Sequence, residues 1–310
     1  VPRTAFIVTH VNPDWDALGA AWLLSRFHPK TTHAQLVFVT AKNPPAEILA
    51  AATAVVDVGL LYNPHSLRFD HHQEDYTENL SATGLVFKHL KESGVANNYF
   101  NNLAHLEPLV KIINDIDMGY RGPDAEFSFQ FGIHALLSAE RYRLSTIIDK
   151  ENLFAETARW AFGILDLLSE KMSHETRQRI ALESKLVYRS EDGKFCAAKG
   201  TNDMTIFSSG ADVALVVNDA SKLPSGQLTY PITLSRAPGK KEPDIALLVQ
   251  KILTESGDKI SQSLREELER WWKHPAGFYA GRGTPKAPCD IPIAVNFLEL
   301  AKLVDAAWGR

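Results

Sequence analysis

The string RFDHHQEDYTENLSATG, Arg68–Gly84, sets a carboxylate and two imidazoles side by side as Asp70, His71 and His72. The same residue types recur elsewhere in the first half of the chain. His10, Asp14 and Asp16 form an H-x3-D-x-D pattern in THVNPDWDALGA, Asp57 interrupts the apolar run AVVDVG, and Asp115 and Asp117 fall in INDIDMGY. A lone carboxylate among valines is costly to bury without a partner. Mixed carboxylate and imidazole donors suit a transition metal such as Mn²⁺ better than Ca²⁺, whose ligands are oxygens. The donors suffice for two divalent ions that share one bridging carboxylate. Two ions about 3.5–4 Å apart can activate a water and stabilise both the attacking and the leaving oxygen at phosphorus.

These residues need elements that bring them together. TAFIVTH reads as a buried strand ending at His10, and DALGAAWLLSRF as a helix whose start holds Asp16, where a carboxylate suits the macrodipole. AQLVFVT, AVVDVG and SLRFDH read as further strands, PPAEILAAAT as a short helix opened by proline, and SATGLVFKHLKES as a helix capped by Ser81. This β-α-β-α-β order implies a mostly parallel sheet. Ligands of such sheets bind at the carboxyl ends of the strands, where His10, Asp57 and Asp70–His72 fall.

The chain from about residue 101 to 173 reads as nearly all helical. SHETRQRIALESKLVYRS reads as a helical connector, and KFCAAKG, MTIFSS, DVALVVND and LTYPITLSRA as strands. Helices are expected at DIALLVQKILTES and AVNFLELAKLVDAAW. The fold class expected is α/β, with an N-terminal parallel-sheet domain over 1–173, a connector over 174–185 and a smaller α/β domain over 186–310. The active site is expected in the cleft between the domains.

With 310 residues, 45% hydrophobic and 23% charged, the composition is that of an ordinary globular protein. A net charge of −4 argues against coating long nucleic acid through a broad basic surface. Apolar runs are too short to span a bilayer, and VPRTAFIVTHVNPD reaches polar sequence too soon for a signal peptide. The two cysteines, Cys196 and Cys289, form no CxxC, which fits a reducing, cytoplasmic setting.

HVNPDWDA, VVDVG, FDHHQ and DIDMG, in this order and each on its expected element, resemble the four motifs of the DHH phosphoesterase superfamily. That group includes RecJ-like exonucleases, nanoRNase-like phosphodiesterases and manganese-dependent pyrophosphatases, and the resemblance covers roughly the first half of the chain. It implies that His10 and Asp14 hold one metal ion, that Asp57 bridges, and that Asp16, His71 and Asp117 complete the second site. It further implies that His72 faces the substrate phosphate and that Asp70 orients the histidines. These make His72, Asp70 and Asp57 the candidate catalytic residues. Asp117 matches the fourth-motif position because it directly precedes the Met-Gly turn, with Asp115 as the alternative. The string VVDVGLLYNPHSLRFDHHQEDYTENLSATGLVF also resembles the melanocyte proliferating gene family of DHH-like 3′–5′ RNA exonucleases, as does HPAGFYAGRG near the C-terminus. The first motif departs from that family and keeps the H-x3-D-x-D of the main superfamily.

RWWKHPAGFYAGRGTPKAP offers substrate-binding candidates outside the metal cluster: His274, Gly281, Arg282, Gly283 and Lys286, alongside His72. Glycine lets backbone approach a phosphate, arginine can pair with it in bidentate fashion, and Tyr279 or Phe278 could stack on a base. Arg121, in GYRGP, could also touch substrate. The GGGH segment usual in the superfamily is absent, and so is the basic cluster of the family pyrophosphatases.

The reading that results is a two-metal phosphodiesterase acting on short oligonucleotides as an exonuclease, with Mn²⁺ as the preferred ion and Mg²⁺ or Co²⁺ as alternatives. The expected partner is short single-stranded RNA or DNA, or a small nucleotide, with no membrane; a homodimer is a candidate assembly. Competing readings are a phosphatase, pyrophosphatase or cyclic-dinucleotide phosphodiesterase, and a catalytically silent nucleotide-binding regulator.

Overall fold

The structure is a computed structural model that describes residues 5–94, 103–119, 132–222, 225–226, 228–255, 260–284, 287–293 and 295–309. Arg121 and Lys286 lie outside the described residues. The chain divides into two compact units, Val1–Ser173 and His174–Arg310.

In the first unit β1 (Phe6–His10), β2 (Gln35–Val39), β3 (Ala54–Val56), β4 (Tyr62–Asn63) and β5 (Arg68–Phe69) form one sheet in the order β2-β1-β3-β5-β4. All neighbours pair in parallel except the two-residue β4, which lies antiparallel at the edge. Alternate residues serve opposite faces, as the strand period of two requires. Ile7, Val56 and Phe69 enter the main core, while Val8, Val55 and Val39 form a smaller cluster with Ala52 and Val58. The main core is filled by α1 (Trp15–Phe27), α3 (Ala82–Ser93) and α4 (Glu107–Asp117). The short α2 (Ala46–Ala51) sets Ile48 and Leu49 against the smaller cluster. A sheet covered on both faces explains why its strands read as continuous apolar runs.

Two further helices follow, α5 (Ile133–Ser145) and α6 (Lys150–Leu182). They anchor α1: Trp15 Nε1 donates to the Ile133 carbonyl at 2.8 Å, and Trp22 Nε1 donates to Asp166 at 2.8 Å. The segment read as a connector is helical as far as Leu182, within α6.

The second unit contains a six-stranded sheet. It is built from β6 (Leu186–Arg189), β7 (Phe195–Lys199), β8 (Val213–Val217), β11 (Ile232–Arg236), β12 (Trp272–Lys273) and β13 (Tyr279–Arg282), ordered β12-β13-β11-β8-β7-β6. β9 (Ser221–Lys222) and β10 (Leu228–Thr229) pair separately. MTIFSS, expected as a strand, instead contributes Met204–Phe207 to helix α7 (Asp203–Phe207). The Asn202 side chain caps it by accepting from the Thr205 N–H at 2.8 Å. β7 and β8 are parallel, so the chain between them must cross over, and a helix serves that need. Helices α8 (Ile245–Glu255) and α10 (Phe297–Trp308) cover the sheet as expected, and α9 (Gln262–Glu269), which was not expected, joins them. Among the described residues no helix is long and apolar enough to cross a membrane.

The site-bearing unit depends on a close approach of helices. A Cβ on Gly19 of α1 would stand 2.6 Å from Thr83 Oγ1, and one on Gly84 of α3 would stand 2.7 Å from Asn114 Oδ1. Neither neighbour is free to retreat. Thr83 Oγ1 donates to the Asp16 carbonyl at 2.8 Å, and Asn114 Oδ1 accepts the Ser81 N–H at 2.7 Å. Overpacking of this kind costs about 1–3 kcal/mol, against a helix-propensity gain of about 1 kcal/mol for Gly→Ala. Gly19→Ala is therefore expected to lower stability in urea denaturation. An unchanged or raised midpoint would contradict the tight α1–α3 contact.

Candidate metal centre

The carboxyl ends of three parallel strands converge. β1 ends at His10, β3 runs into Asp57, and β5 runs into Asp70. Asp57 is 4% exposed and adopts a left-handed backbone with φ of 56°, while its N–H remains tied to the Phe69 carbonyl at 2.9 Å. A non-glycine residue in that region is strained, and such strain clusters at functional sites. His10 Nε2 lies 3.0 Å from Asp57 Oδ2, and its Nδ1 lies 2.9 Å from the Val11 carbonyl. A backbone carbonyl on one ring nitrogen orients the other toward a ligand position.

The loop after β1 supplies two more carboxylates. Asp14 caps α1, its Oδ1 accepting from the N–H groups of Asp16 and Ala17 at 2.9 and 3.0 Å. Asp16 lies in the first turn of α1 and is 1% exposed. Its two oxygens accept the N–H groups of Ala82 and Thr83 at 2.8 and 2.7 Å. Asp16 therefore caps α3 from another helix, and the Ser81 hydroxyl makes no cap hydrogen bond. A buried carboxylate at a helix N-terminus is stabilised by the amides and by the helix dipole.

Three donor groups result: His10 with Asp14 and Asp57, Asp16 with His71 and Asp117, and Asp57 with His71 and His72. Asp57 belongs to two of them. His71 Nε2 faces three carboxylate oxygens, at 3.4 Å from Asp57, 3.3 Å from Asp117 and 3.6 Å from Asp16. Asp57 Oδ1, His71 Nε2 and Asp117 Oδ2 are buried, and none has a hydrogen-bond partner. One proton on His71 Nε2 would serve only one of these oxygens. A divalent cation satisfies the whole set, so the residues present fit such an ion. Asp117 is the carboxylate of the DID string that reaches the cluster, whereas Asp115 pairs with Lys111 one helical turn back.

The local charges perturb one another strongly. Burial alone would lower the His10 pKa, but the hydrogen bonds to Asp57 and Val11 and the charges of Asp57 and Asp14 raise it to about 9. His71 is raised in the same manner by Asp57, Asp16 and Asp117 against the effect of burial. Burial and the charges of Asp57 and Asp117 push the Asp16 carboxyl up. Burial, with Asp14 and Asp57, raises Asp117 to about 6. Asp57 moves the other way: burial opposes ionisation, but His10 and His71 together hold it well below the usual carboxylate range.

Asp70 is 1% exposed and organises the DHH turn. Its Oδ1 accepts from His72 Nδ1 at 2.8 Å and from the His72 N–H at 3.1 Å, and its Oδ2 accepts the Leu60 N–H at 2.6 Å. The His72 side chain is 57% exposed. The hydrogen bond to Asp70 raises its pKa and orients its ring.

The C-terminal candidates are placed differently. Arg282 is 1% exposed and is held by Glu267, with Nε donating to Oε1 at 2.5 Å and Nη2 to Oε2 at 2.7 Å. Its Nη1 donates to the Ile291 carbonyl at 2.7 Å. The guanidinium is thus committed to an internal ion pair rather than presented to a ligand. A Cβ on Gly281 or Gly283 would collide with the backbone of Ile232 or Tyr230, so strand packing accounts for both glycines. His274 Nδ1 accepts the Ala276 N–H at 3.0 Å, and its ring lies 4.0 Å from that of Phe278.

A cavity of about 460 Å³ opens onto the first unit's cluster and is lined by His10, Asp14, Asp57, Asp70, His72 and Asp117. Lys42 and Leu60 are among the lining residues that sequence reasoning did not find. Lys42 follows β2, whose carboxyl end lies on the same sheet edge as His10, and that position is the signal that could have pointed to it. Arg141 was also missed. It donates to the Pro13 carbonyl beside Asp14, and its Nε is buried without a hydrogen-bond partner.

Residues 7–120 match the family model MYG1_exonuc, described as an uncharacterised protein family (UPF0160). The chain is similar to the MYG1 exonuclease of Mus musculus, with 30% identity over 162 residues, covering 44% of this chain and 40% of the mouse protein. It is also similar to the MYG1 protein of Dictyostelium discoideum, with 32% identity over 83 residues, covering 23% of this chain and 25% of that protein. The chain thus spans well under half the length of these relatives. The matched family segment contains every residue of the metal-ready cluster.

Two outcomes are expected from this geometry. His10, raised to about 9, is protonated at pH 7 and must lose its proton to ligate. Mn²⁺ binding is therefore expected to release protons at pH 7, with apparent affinity rising about tenfold per pH unit, per histidine released, until pH 9. Calorimetry in two buffers of different ionisation enthalpy reads this directly, and heats independent of buffer would contradict ligation by His10. Separately, Arg282→Ala leaves the buried Glu267 carboxylate without its countercharge, with only the Trp271 Nε1 hydrogen bond remaining, which costs about 3–5 kcal/mol. A large loss of denaturation midpoint is expected, and an unchanged midpoint would dismiss the buried pair.

Proposed function

We propose that this chain is a DHH-type phosphoesterase of the MYG1 exonuclease kind. In this reading it hydrolyses phosphodiester bonds of short oligonucleotides with two divalent ions, preferably Mn²⁺. The observation that carries the reading is the set of three buried ligand atoms without a hydrogen bond, Asp57 Oδ1, His71 Nε2 and Asp117 Oδ2, facing one another at the carboxyl edge of a parallel sheet. The match of residues 7–120 to MYG1_exonuc and the likeness to a mouse protein named an exonuclease support the substrate class.

His10 and Asp14 would hold one ion, Asp16, His71 and Asp117 the second, and Asp57 would touch both. When bound, the ions supply an activated water and neutralise charge on the phosphate oxygens. The protein's own residues do the rest. Asp16 fixes one side of the site through its grip on α3. Asp70 holds His72 by Nδ1, which leaves Nε2 to face a phosphate oxygen or the leaving group, as a donor when the ring is protonated. The neighbouring Leu60 is 64% exposed on the cavity wall and offers an apolar surface for a sugar or base.

The test is a product assay with Mn²⁺ on a 5′-labelled short RNA, the matching DNA, a cyclic dinucleotide and pyrophosphate. A ladder shortening from one end is expected for RNA or DNA. Phosphate release from pyrophosphate alone would replace this reading with a small-phosphate hydrolase. Asp57→Ala is expected to reduce turnover by about a thousandfold or more and to lower bound metal. Full activity in that variant would end the two-metal assignment.

A further inference from the structure

The metal-ready cavity is lined by four aspartates and two histidines, and Lys42 is the single lysine or arginine among the described residues that line it. We propose that Lys42 is the substrate-binding cation of this site, pairing with a non-bridging oxygen of the phosphate. The inference rests on the phosphoesterase reading above and names the residue that completes its charge balance. Asp14, Asp16, Asp57 and Asp117 would together offer four negative charges, which two divalent ions would cancel, while Asp70 is held by His72. A bound phosphodiester then brings a charge that the ligand set does not match. Lys42 supplies the complement.

The local structure holds the lysine at that edge. Val39 pairs with His10 in the β1–β2 register, and the Val11 N–H donates to the Val39 carbonyl at 2.7 Å. Lys42 therefore leaves β2 on the same side as the ligands. Asn43 follows with a left-handed φ of 57°, and Pro44 and Pro45 lead into α2. Two prolines and a left-handed turn remove most of the loop's freedom, so the position of the lysine backbone is set before substrate arrives.

Lys42 is also uncommitted. Lys88 pairs with Glu78, Lys91 with Glu107 and Lys111 with Asp115 in the same unit. Lys42 has no ion pair or hydrogen-bond partner among the described residues, although it stands beside a cavity rich in carboxylates. A lysine is a flexible point charge with three donors, which suits a phosphate whose orientation the metal ions dictate.

The experiment uses the full chain loaded with Mn²⁺ and a fluorescent RNA trinucleotide with phosphorothioate linkages, followed by anisotropy. Turnover of the same trinucleotide with ordinary linkages is measured in parallel, and Mn²⁺ stoichiometry is measured by calorimetry. Lys42→Ala is expected to weaken probe binding about ten- to a hundredfold, the worth of one charge-assisted hydrogen bond, with Mn²⁺ stoichiometry unchanged. Lys42→Arg is expected to restore most of the affinity, and Lys42→Glu to weaken it further. Equal probe affinity in wild type and Lys42→Ala overturns the proposal, as does absence of probe binding by the wild type. Lys42-dependent binding without turnover upholds the lysine and removes the hydrolytic reading instead.

Discussion

The first unit is organised around the need to stabilise one buried negative charge. Asp57 lies 4% exposed at the end of β3, between strands that bring His10 on one side and the DHH turn on the other. Burying such a charge without compensation would cost several kcal/mol. The sheet order places compensation on both sides, with His10 within hydrogen-bond distance and His71 facing the second oxygen. The histidines in turn require charge near them, and the resulting mesh of raised and lowered pKa values is one that divalent cations would settle. The strained backbone at Asp57 is sustained because the β3–β5 pairing holds its N–H.

The helices serve this arrangement as much as they serve the core. α1 begins at a cap formed by one candidate ligand, Asp14, and its first turn buries another, Asp16. Asp16 then closes the N-terminus of α3, and Gly19 and Gly84 let α1, α3 and α4 approach closely enough for Asp117 to join the cluster. The chain therefore unites residues more than a hundred positions apart through caps and glycines rather than through long loops.

Much of the cluster was legible because each residue stands at the end of an apolar run. An unexplained carboxylate or imidazole at a strand terminus is a strong signal when four termini carry one. Helical phase, which the motif alone does not supply, separates Asp117 from Asp115. Other features left no such trace. MTIFSS is a short apolar run that fits a strand or a helix equally well, and the topology decided for α7. The GRG string suggested an exposed arginine, but Glu267, fifteen residues upstream, claims the guanidinium. Nothing in the pattern of either segment announces that pair. Lys42 was invisible for the opposite reason, since a single lysine in a proline-rich loop looks like any solvated charge until β2 is set beside β1.

The cap that Asp16 makes on α3 has a spectroscopic consequence. The amides of Ala82 and Thr83 bond directly to a carboxylate of the candidate metal centre, yet they belong to a helix on the core side of the sheet. Their proton chemical shifts register how much electron density that carboxylate retains. Any cation that draws on Asp16 weakens both hydrogen bonds together and moves both resonances upfield. Two backbone amides thus form a built-in gauge of occupancy, readable in an isotope-labelled sample without a substrate or a fluorophore.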